Sequence, residues 1–322
     1  MAKSFLDLQR DFVNLRFGAY IHFNSATLAF SEGERVDWDI GIEDSDDPKR
    51  RVFDPADWDI PSLDIRGWAK AIKSAGMNFA ALVTKHHEGF SLWPSEYTDH
   101  CVKNAPTKTD IVGEYVRIFR EEGLAPGLDY SILDLHHNIT RTNFPPGSKE
   151  YLLGQIKELL TNYGEIPFLL LDGWQAPWGG PSYAKLSFEE VKAVNSIQPN
   201  CLVLNHSSEV NLDHSDIVVF ENNAGQNIPP DFVGPGSLAQ KLTDAWFWRE
   251  IDPTATLKTA EWALENKVYP AQKQNCVCML NISPNPDGGV DDNLAQRFEE
   301  IGAIYRAPAP VTEIPKGWMT RP

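Results

Sequence analysis

The chain has 322 residues, 42% of them hydrophobic, and sets 29 basic side chains against 45 acidic ones for a formal charge of −16. That length holds either two ordinary domains or one α/β barrel. The charge argues against nucleic acid or an anionic membrane as a partner and fits an enzyme with a neutral substrate.

No apolar run approaches the roughly 20 residues of a membrane span. The opening Met-Ala-Lys-Ser-Phe-Leu-Asp has no apolar signal core. The expectation is therefore a cytoplasmic chain as it stands, periplasmic or secreted if a leader preceded it. Cys101 and Cys201 are isolated, and Cys276 and Cys278 stand at i, i+2 in an apolar run. That is neither zinc nor redox spacing, so buried free thiols are expected and no disulfide.

A helix is predicted over 5–15, then a strand over 17–23 that ends near His22. Residues 24–60 read as a long polar loop containing Trp38 and a charged cluster at 43–51. Ile65, Trp68, Ala69 and Ile72 fall at i, i+3, i+4, i+7, a helix stopped by Gly76. A second strand over 79–84 runs into Lys85-His86-His87-Glu88. Asp110 N-caps a helix carrying Val112, Tyr115, Val116 and Phe119, ended by Gly123, and a third strand over 125–130 follows. A helix over 151–163 leads to Ile166-Pro-Phe-Leu-Leu-Leu-Asp172-Gly-Trp174. Its unbroken apolar run suits a strand buried on both faces. It stops on a carboxylate, a glycine and an indole, with Trp178 close behind, a composition that suits a sugar subsite.

Ser187-x-x-Glu190 is a capping box opening a helix to about 197. Strands follow over 201–205 and 217–220, the latter ending on Glu221. A weaker seventh strand is assigned to 245–249, around Trp246-Phe-Trp248. A helix over 256–264, a strand over 276–280 followed by Asn281, and a helix over 293–305 close the chain.

Strand and helix alternate throughout, with neither a dinucleotide glycine fingerprint nor a phosphate loop. About eight strands in about 300 residues imply an α/β protein of the (β/α)8 barrel type, one domain over 1–322. The strand ends carry His22, His86, His87, Tyr130, Asp172, Asn205, Glu221 and Asn281, which a barrel gathers on one face.

Glycoside cleavage needs two carboxyl groups flanking the bond. Asp172 and Glu221 end strands about two apart in barrel order and can face each other; Glu43, Glu88 and Glu209 are rival acids. Neutral histidines donate to and accept from sugar hydroxyls, and indoles cover apolar sugar faces. The competing reading makes His22, His86, His87 and Asp172 a metal site. Adjacent histidines on a strand point to opposite sides, which disfavours one shared metal, although a strand end can turn. The preferred expectation is no metal.

Tyr20-Ile-His22-Phe, Thr84-Lys-His86-His87-Glu-Gly-Phe90, Leu92-Trp93-x-Ser-x-Tyr97-Thr, Asp110-Ile-Val-Gly-Glu114, Gly127-Leu-Asp-Tyr130-Ser, Leu171-Asp172-Gly-Trp174, Trp246-Phe-Trp248 and Leu280-Asn281-Ile-x-Pro284 occur in order over nearly the whole chain. Together they resemble the catalytic domain of α-L-fucosidases, glycoside hydrolase family 29. The resemblance implies a retaining double displacement on a terminal α-L-fucosyl residue of a fucosylated oligosaccharide or glycoconjugate, without a cofactor. It makes Asp172 the nucleophile, and sets His22, His86, His87 and Tyr130 on the sugar hydroxyls with Trp38 and Trp246 near the ring. The acid/base varies across that family; Glu221 is chosen for its strand-end context and its distance after Asp172.

The chain also departs from the family pattern. Phe23-Asn24 stands where Trp-Gly is usual, Glu88 where Asp follows the paired histidines, and Asn205-His206 where many members have an arginine. The chain stops soon after the last barrel helix, so the family's C-terminal β-sandwich is expected to be missing. These departures leave open a related exo-glycosidase on another sugar, such as an α-L-galactoside, or a non-catalytic carbohydrate-binding barrel.

Overall fold

The computed structural model describes residues 3–31, 53–176 and 179–318. Its centre is a closed barrel of eight parallel strands in chain order. They are β1 (Phe17–Ile21), β2 (Phe79–Lys85), β3 (Ala125–Ser131), β4 (Phe168–Asp172), β5 (Leu202–His206), β6 (Val218–Glu221), β7 (Gly236–Gln240) and β8 (Cys276–Ile282). The barrel shuts where β1 pairs with β8, Tyr20 opposite Asn281.

Strand side chains alternate in direction, so each strand feeds two cores. Ala19, Leu82, Leu128, Leu169, Leu171, Val203 and Phe220 belong to the outer layer, under the helices. Tyr20, Phe79, Val83, Phe168, Leu170, Leu204, Val219 and Met279 fill the interior. Helix α1 (Phe5–Val13) closes the lower end. Its Leu8 and Phe12 join the interior cluster, and the Phe12 ring meets Phe168 edge-on at 5.2 Å.

The surrounding helices begin where sequence chemistry places them. The Asp64 and Asp110 side chains cap α3 (Ile65–Ser74) and α4 (Ile111–Glu121). Helix α5 is Ser148–Asn162, and the Ser187–Glu190 capping box opens α6 (Phe188–Asn195). Gly76 and Gly123 follow α3 and α4 at φ +78° and +77°, left-handed positions that favour glycine. All four cysteines are buried and free, with Cys276 and Cys278 both on the outer face of β8.

Three expectations are corrected. The seventh strand is β7, not 245–249. Gly-Ser-Leu-Ala-Gln carries no β-branched or aromatic residue, so it gives little strand signal. Its glycine is required by packing, since a Cβ at 236 would lie 2.4 Å from Cys276 Sγ. The 24–60 stretch opens with helix α2 (Ser25–Ser31). The helix expected over 256–264 is α7 (Ala260–Ala263), which runs through a π-turn (Leu264–Val268) into α8 (Tyr269–Lys273). Helix α9 (Asp292–Ile304) follows β8. Trp38, Glu43 and Trp178 lie outside the described residues. Among the described residues no helix is long and apolar enough to cross a membrane.

Candidate active site

The carboxylate of Asp172 stands at the upper end of β4, 8% exposed. Its Oδ1 accepts the Gly173 backbone N–H at 2.7 Å. Gly173 adopts φ +64°, and a Cβ there would lie 2.8 Å from Leu133 Cβ, so both backbone and space demand glycine. Two imidazoles flank the carboxylate: His87 Nε2 is 3.7 Å from Oδ2 and His206 Nδ1 is 3.6 Å from Oδ1. The other ring nitrogen of His206 is 3.4 Å from Glu221 Oε2. Glu221, half-buried at the end of β6, accepts the Trp246 indole N–H on Oε1 at 3.0 Å.

Hydrogen bonds fix two of the histidine tautomers. Ser131 Oγ donates to the Leu133 carbonyl at 2.6 Å and so accepts from His87 Nδ1 at 2.7 Å. Asn281 donates its amide N–H to the Trp246 carbonyl at 2.7 Å, which turns its oxygen to His22 Nδ1, also at 2.7 Å. Both rings therefore carry hydrogen on Nδ1 and keep Nε2 as an acceptor. His22 stacks on Trp246 at 4.9 Å, His86 lies 4.1 Å from His87, and Phe247 presents its edge to His22 and His86.

Burial depresses all three histidines. His22 falls to about 3 despite its Asn281 bond and the Asp172 charge. His86 falls well below its ordinary value, through burial and then the neighbouring His87 and His22. His87 is lowered by burial against the pull of Asp172. The pocket thus presents neutral imidazoles beside a carboxylate.

The same groups can hold a metal. His86, His87 and Asp172 each offer a ligand atom within 4.8 Å of one another. Two neutral imidazoles and a carboxylate suit a divalent ion, and they suit vicinal hydroxyls equally well.

Kinship bears on that choice. The α-L-fucosidase family model matches residues 6–307. The chain belongs to the α-L-fucosidase family. It is 26% identical to alpha-L-fucosidase 1 of Arabidopsis thaliana over 88% of this chain and 57% of that protein. With the alpha-L-fucosidase of Branchiostoma floridae it shares 27% identity over 95% of this chain and 72% of the other. The solved alpha-L-fucosidase isoenzyme 1 from Paenibacillus thiaminolyticus superposes with a TM-score of 0.75 at 26% identity, over 93% of this chain and 76% of that one. The chain spans about half the length of its plant relatives, 52% of the rice protein and 57% of the Arabidopsis one.

Within this family member the fold brings Asp172, Glu221, His22, His86, His87 and Trp246 together. It does not bring Tyr130 there. Tyr130 faces the outer layer, where its hydroxyl donates to Gln155 Oε1 at 2.8 Å and meets Lys85 Nζ at 3.1 Å. Trp174 is likewise buried in the outer layer, its indole N–H spent on the Leu186 carbonyl.

Of the rival acids, the two among the described residues, Glu88 and Glu209, are engaged elsewhere. Glu88 pairs with His100 at 2.7 Å and accepts the Phe90 N–H and the Ser25 hydroxyl. Glu209 binds Tyr183 and His214.

Four inward groups were missed as site residues: Asp129, Ser131, His206 and Phe247. Strand alternation is the signal that finds the first three. Asp129 sits two register steps below Asp172, opposite Leu170. It accepts the Tyr20 hydroxyl on Oδ2 at 2.7 Å, and its Oδ1 has no hydrogen-bond partner among the described residues. Under the pocket floor, burial first and the Asp172 charge second push its pKa well above the ordinary carboxylate value.

Proposed function

We propose that the protein is a retaining exo-glycosidase that removes terminal α-L-fucosyl residues from fucosylated oligosaccharides or glycoconjugates. The observation that carries this reading is the row Asp172, His206, Glu221 on three successive strands, facing three buried neutral histidines.

In this reading Asp172 attacks the anomeric carbon while Glu221 protonates the departing glycosidic oxygen, leaving an ester between sugar and Asp172. Glu221 then takes a proton from water as that water attacks the anomeric carbon and frees Asp172. Two inversions give net retention. His22 and His87 accept sugar hydroxyl hydrogens on Nε2, and Trp246 backs His22. The route needs no cofactor. Family membership supports it, and a Bacteroides thetaiotaomicron family 29 α-L-fucosidase of the same fold has been trapped as a covalent intermediate with 2-fluoro-fucosyl fluoride.

The test is hydrolysis of aryl α-L-fucoside against aryl α-L-galactoside, followed by inactivation with 2-deoxy-2-fluoro-fucosyl fluoride and peptide mapping. The expected result is preferred fucoside cleavage and one labelled peptide containing Asp172. A label elsewhere overturns the nucleophile, and faster galactoside cleavage overturns the sugar.

A further inference from the structure

We propose that His206 is a positioning residue that apportions a single proton between Asp172 and Glu221; this rests on the roles just given to those carboxyls. His206 occupies β5, register-paired with Asp172 of β4, and is 4% exposed. Its Nδ1 looks to Asp172 at 3.6 Å and its Nε2 to Glu221 at 3.4 Å. One buried ring therefore bridges the two groups that must hold opposite protonation states.

A neutral imidazole has one N–H and one lone pair. With hydrogen on Nδ1 it donates toward ionised Asp172, and its Nε2 can then accept only from a protonated Glu221. That is the pair glycosylation requires, a charged nucleophile and a loaded acid. The other tautomer favours the reverse arrangement. An imidazolium favours two carboxylates and an unloaded acid. Both contacts are longer than ordinary hydrogen bonds, so they are expected to tighten when sugar fills the pocket.

The proton count closes without spending the ring's hydrogen. Glu221 gives its proton to the leaving oxygen as that oxygen's bond to the anomeric carbon breaks and the bond to Asp172 forms. It recovers a proton from water as the bond to Asp172 breaks. Among the described residues, charged and titratable groups near the ring include His87 beyond β2, His22 beyond β1, and Lys241 beyond β7, whose ammonium lies 5.5 Å over the Trp246 ring. Asp129 and Tyr20 lie below.

The experiment is the pH profile of kcat/KM for wild type, His206→Phe and His206→Gln in the full chain. It uses whichever aryl glycoside the wild type cleaves, with a poor and a good leaving group. For His206→Phe both limbs should move inward by about one pH unit each, about tenfold in rate on either flank. The acid limb rises because Asp172 has lost a donor, and the alkaline limb falls because protonated Glu221 has lost an acceptor. With a dinitrophenyl leaving group, which needs no protonation, the alkaline shift should vanish. His206→Gln, whose amide both donates and accepts, should restore most of the width.

If the phenylalanine variant does not fold, His206→Ala read with and without added imidazole decides the matter, with narrowing that imidazole reverses as the expected result. A profile of unchanged width at lower rate, or an alkaline limb that moves upward, overturns the proposal while leaving the glycosidase reading standing. A wild type that cleaves a galactoside instead overturns only the sugar. A chain that cleaves no glycoside overturns both.

Discussion

In the lower half of the barrel the inward side chains are Phe79, Phe168, Leu202 and Val277, and Phe12 of α1 pushes up against the two phenyl rings. In the upper half the inward side chains are His22, Asp172, His206, Glu221 and Asn281. Single strands carry both halves. On β4 the inward sequence in steps of two is Phe168, Leu170, Asp172, and on β8 it is Val277, Met279, Asn281. Stability and chemistry are thus separated along each strand by two or three residues rather than assigned to different elements. The lower end also has room, a cavity of about 600 Å³ lined by Leu8, Phe12, Pro126, Pro167 and Leu202 among others. It contains none of the buried histidines or strand-end carboxyls that the upper end collects. Volume alone does not mark the site.

The sharpest way to break this division is at its upper limit. Asp172→Asn keeps the size of the side chain and removes the attacking charge. The expected loss is on the order of 10³-fold or more in kcat, at least about 4 kcal/mol of barrier, with an unchanged melting curve. An asparagine variant within tenfold of wild type would remove Asp172 from the reaction.

The counterpart lies two steps below on the same strand. Phe168→Ala should cost about 3–5 kcal/mol of stability, because Phe12 and Phe79 lose the ring they pack on. Below its lowered melting temperature the variant should keep kcat within a few-fold. A large kcat loss in a fully folded variant would show that the two halves are not separable.

Next in size is His22→Ala, expected to weaken transition-state binding by roughly 2–4 kcal/mol, read as kcat/KM, because a buried sugar hydroxyl loses its acceptor. The same residue should leave a pH signature in stability. His22 titrates at about 3 when folded, against an ordinary value of 6.5, so between those values the unfolded chain binds the proton and the folded one does not. Stability is then full above about pH 6.5 and is lost as pH falls toward 3. Denaturant midpoints should be less acid-sensitive over that window in His22→Ala than in wild type, and equal sensitivity would place His22 in contact with solvent.

The sequence revealed the fold wherever a strand was an unbroken apolar run, as at 168–171 and 276–280. It concealed β7, which has no β-branched or aromatic residue and whose Gly236 is demanded by close packing on Cys276 rather than by strand preference. For the site, residue type was legible and direction was not. The resemblance pointed to Tyr130, and the polar strand end pointed to Asn205. The pleat instead turns their neighbours Asp129 and His206 inward, while Asn205 donates to the Tyr183 hydroxyl. At β2 the register shifts between Val83 and Lys85, which puts the Lys85 ammonium outside against Tyr130 and Asp134. That irregularity is carried by the backbone and has no signature in residue type. The consecutive His86 and His87 share one pocket because the strand ends at Lys85 and the chain turns there, the Gly89 N–H donating to the His86 carbonyl at 3.0 Å.

Tyr130 provides the smallest effect and the finest test of inside against outside. Its hydroxyl is fully buried between Gln155 on α5 and the Lys85 ammonium, which itself pairs with Asp134 at 2.9 Å. Burial alone would raise the Asp134 carboxyl, but Lys85, His137 and Tyr151 together hold it well below the carboxylate range, so the lysine stays paired without Tyr130. Tyr130→Phe therefore removes one acceptor for Lys85 and leaves Gln155 Oε1 without its donor, inside the outer core. The expected cost is about 1–2 kcal/mol of stability, seen in the denaturation midpoint. Because the hydroxyl never reaches the pocket, kcat/KM on an aryl fucoside should stay within about twofold of wild type, under about half a kcal/mol. A tenfold fall in kcat/KM with an unchanged midpoint would mean that Tyr130 touches the sugar, and that β3 presents its other face to the barrel interior.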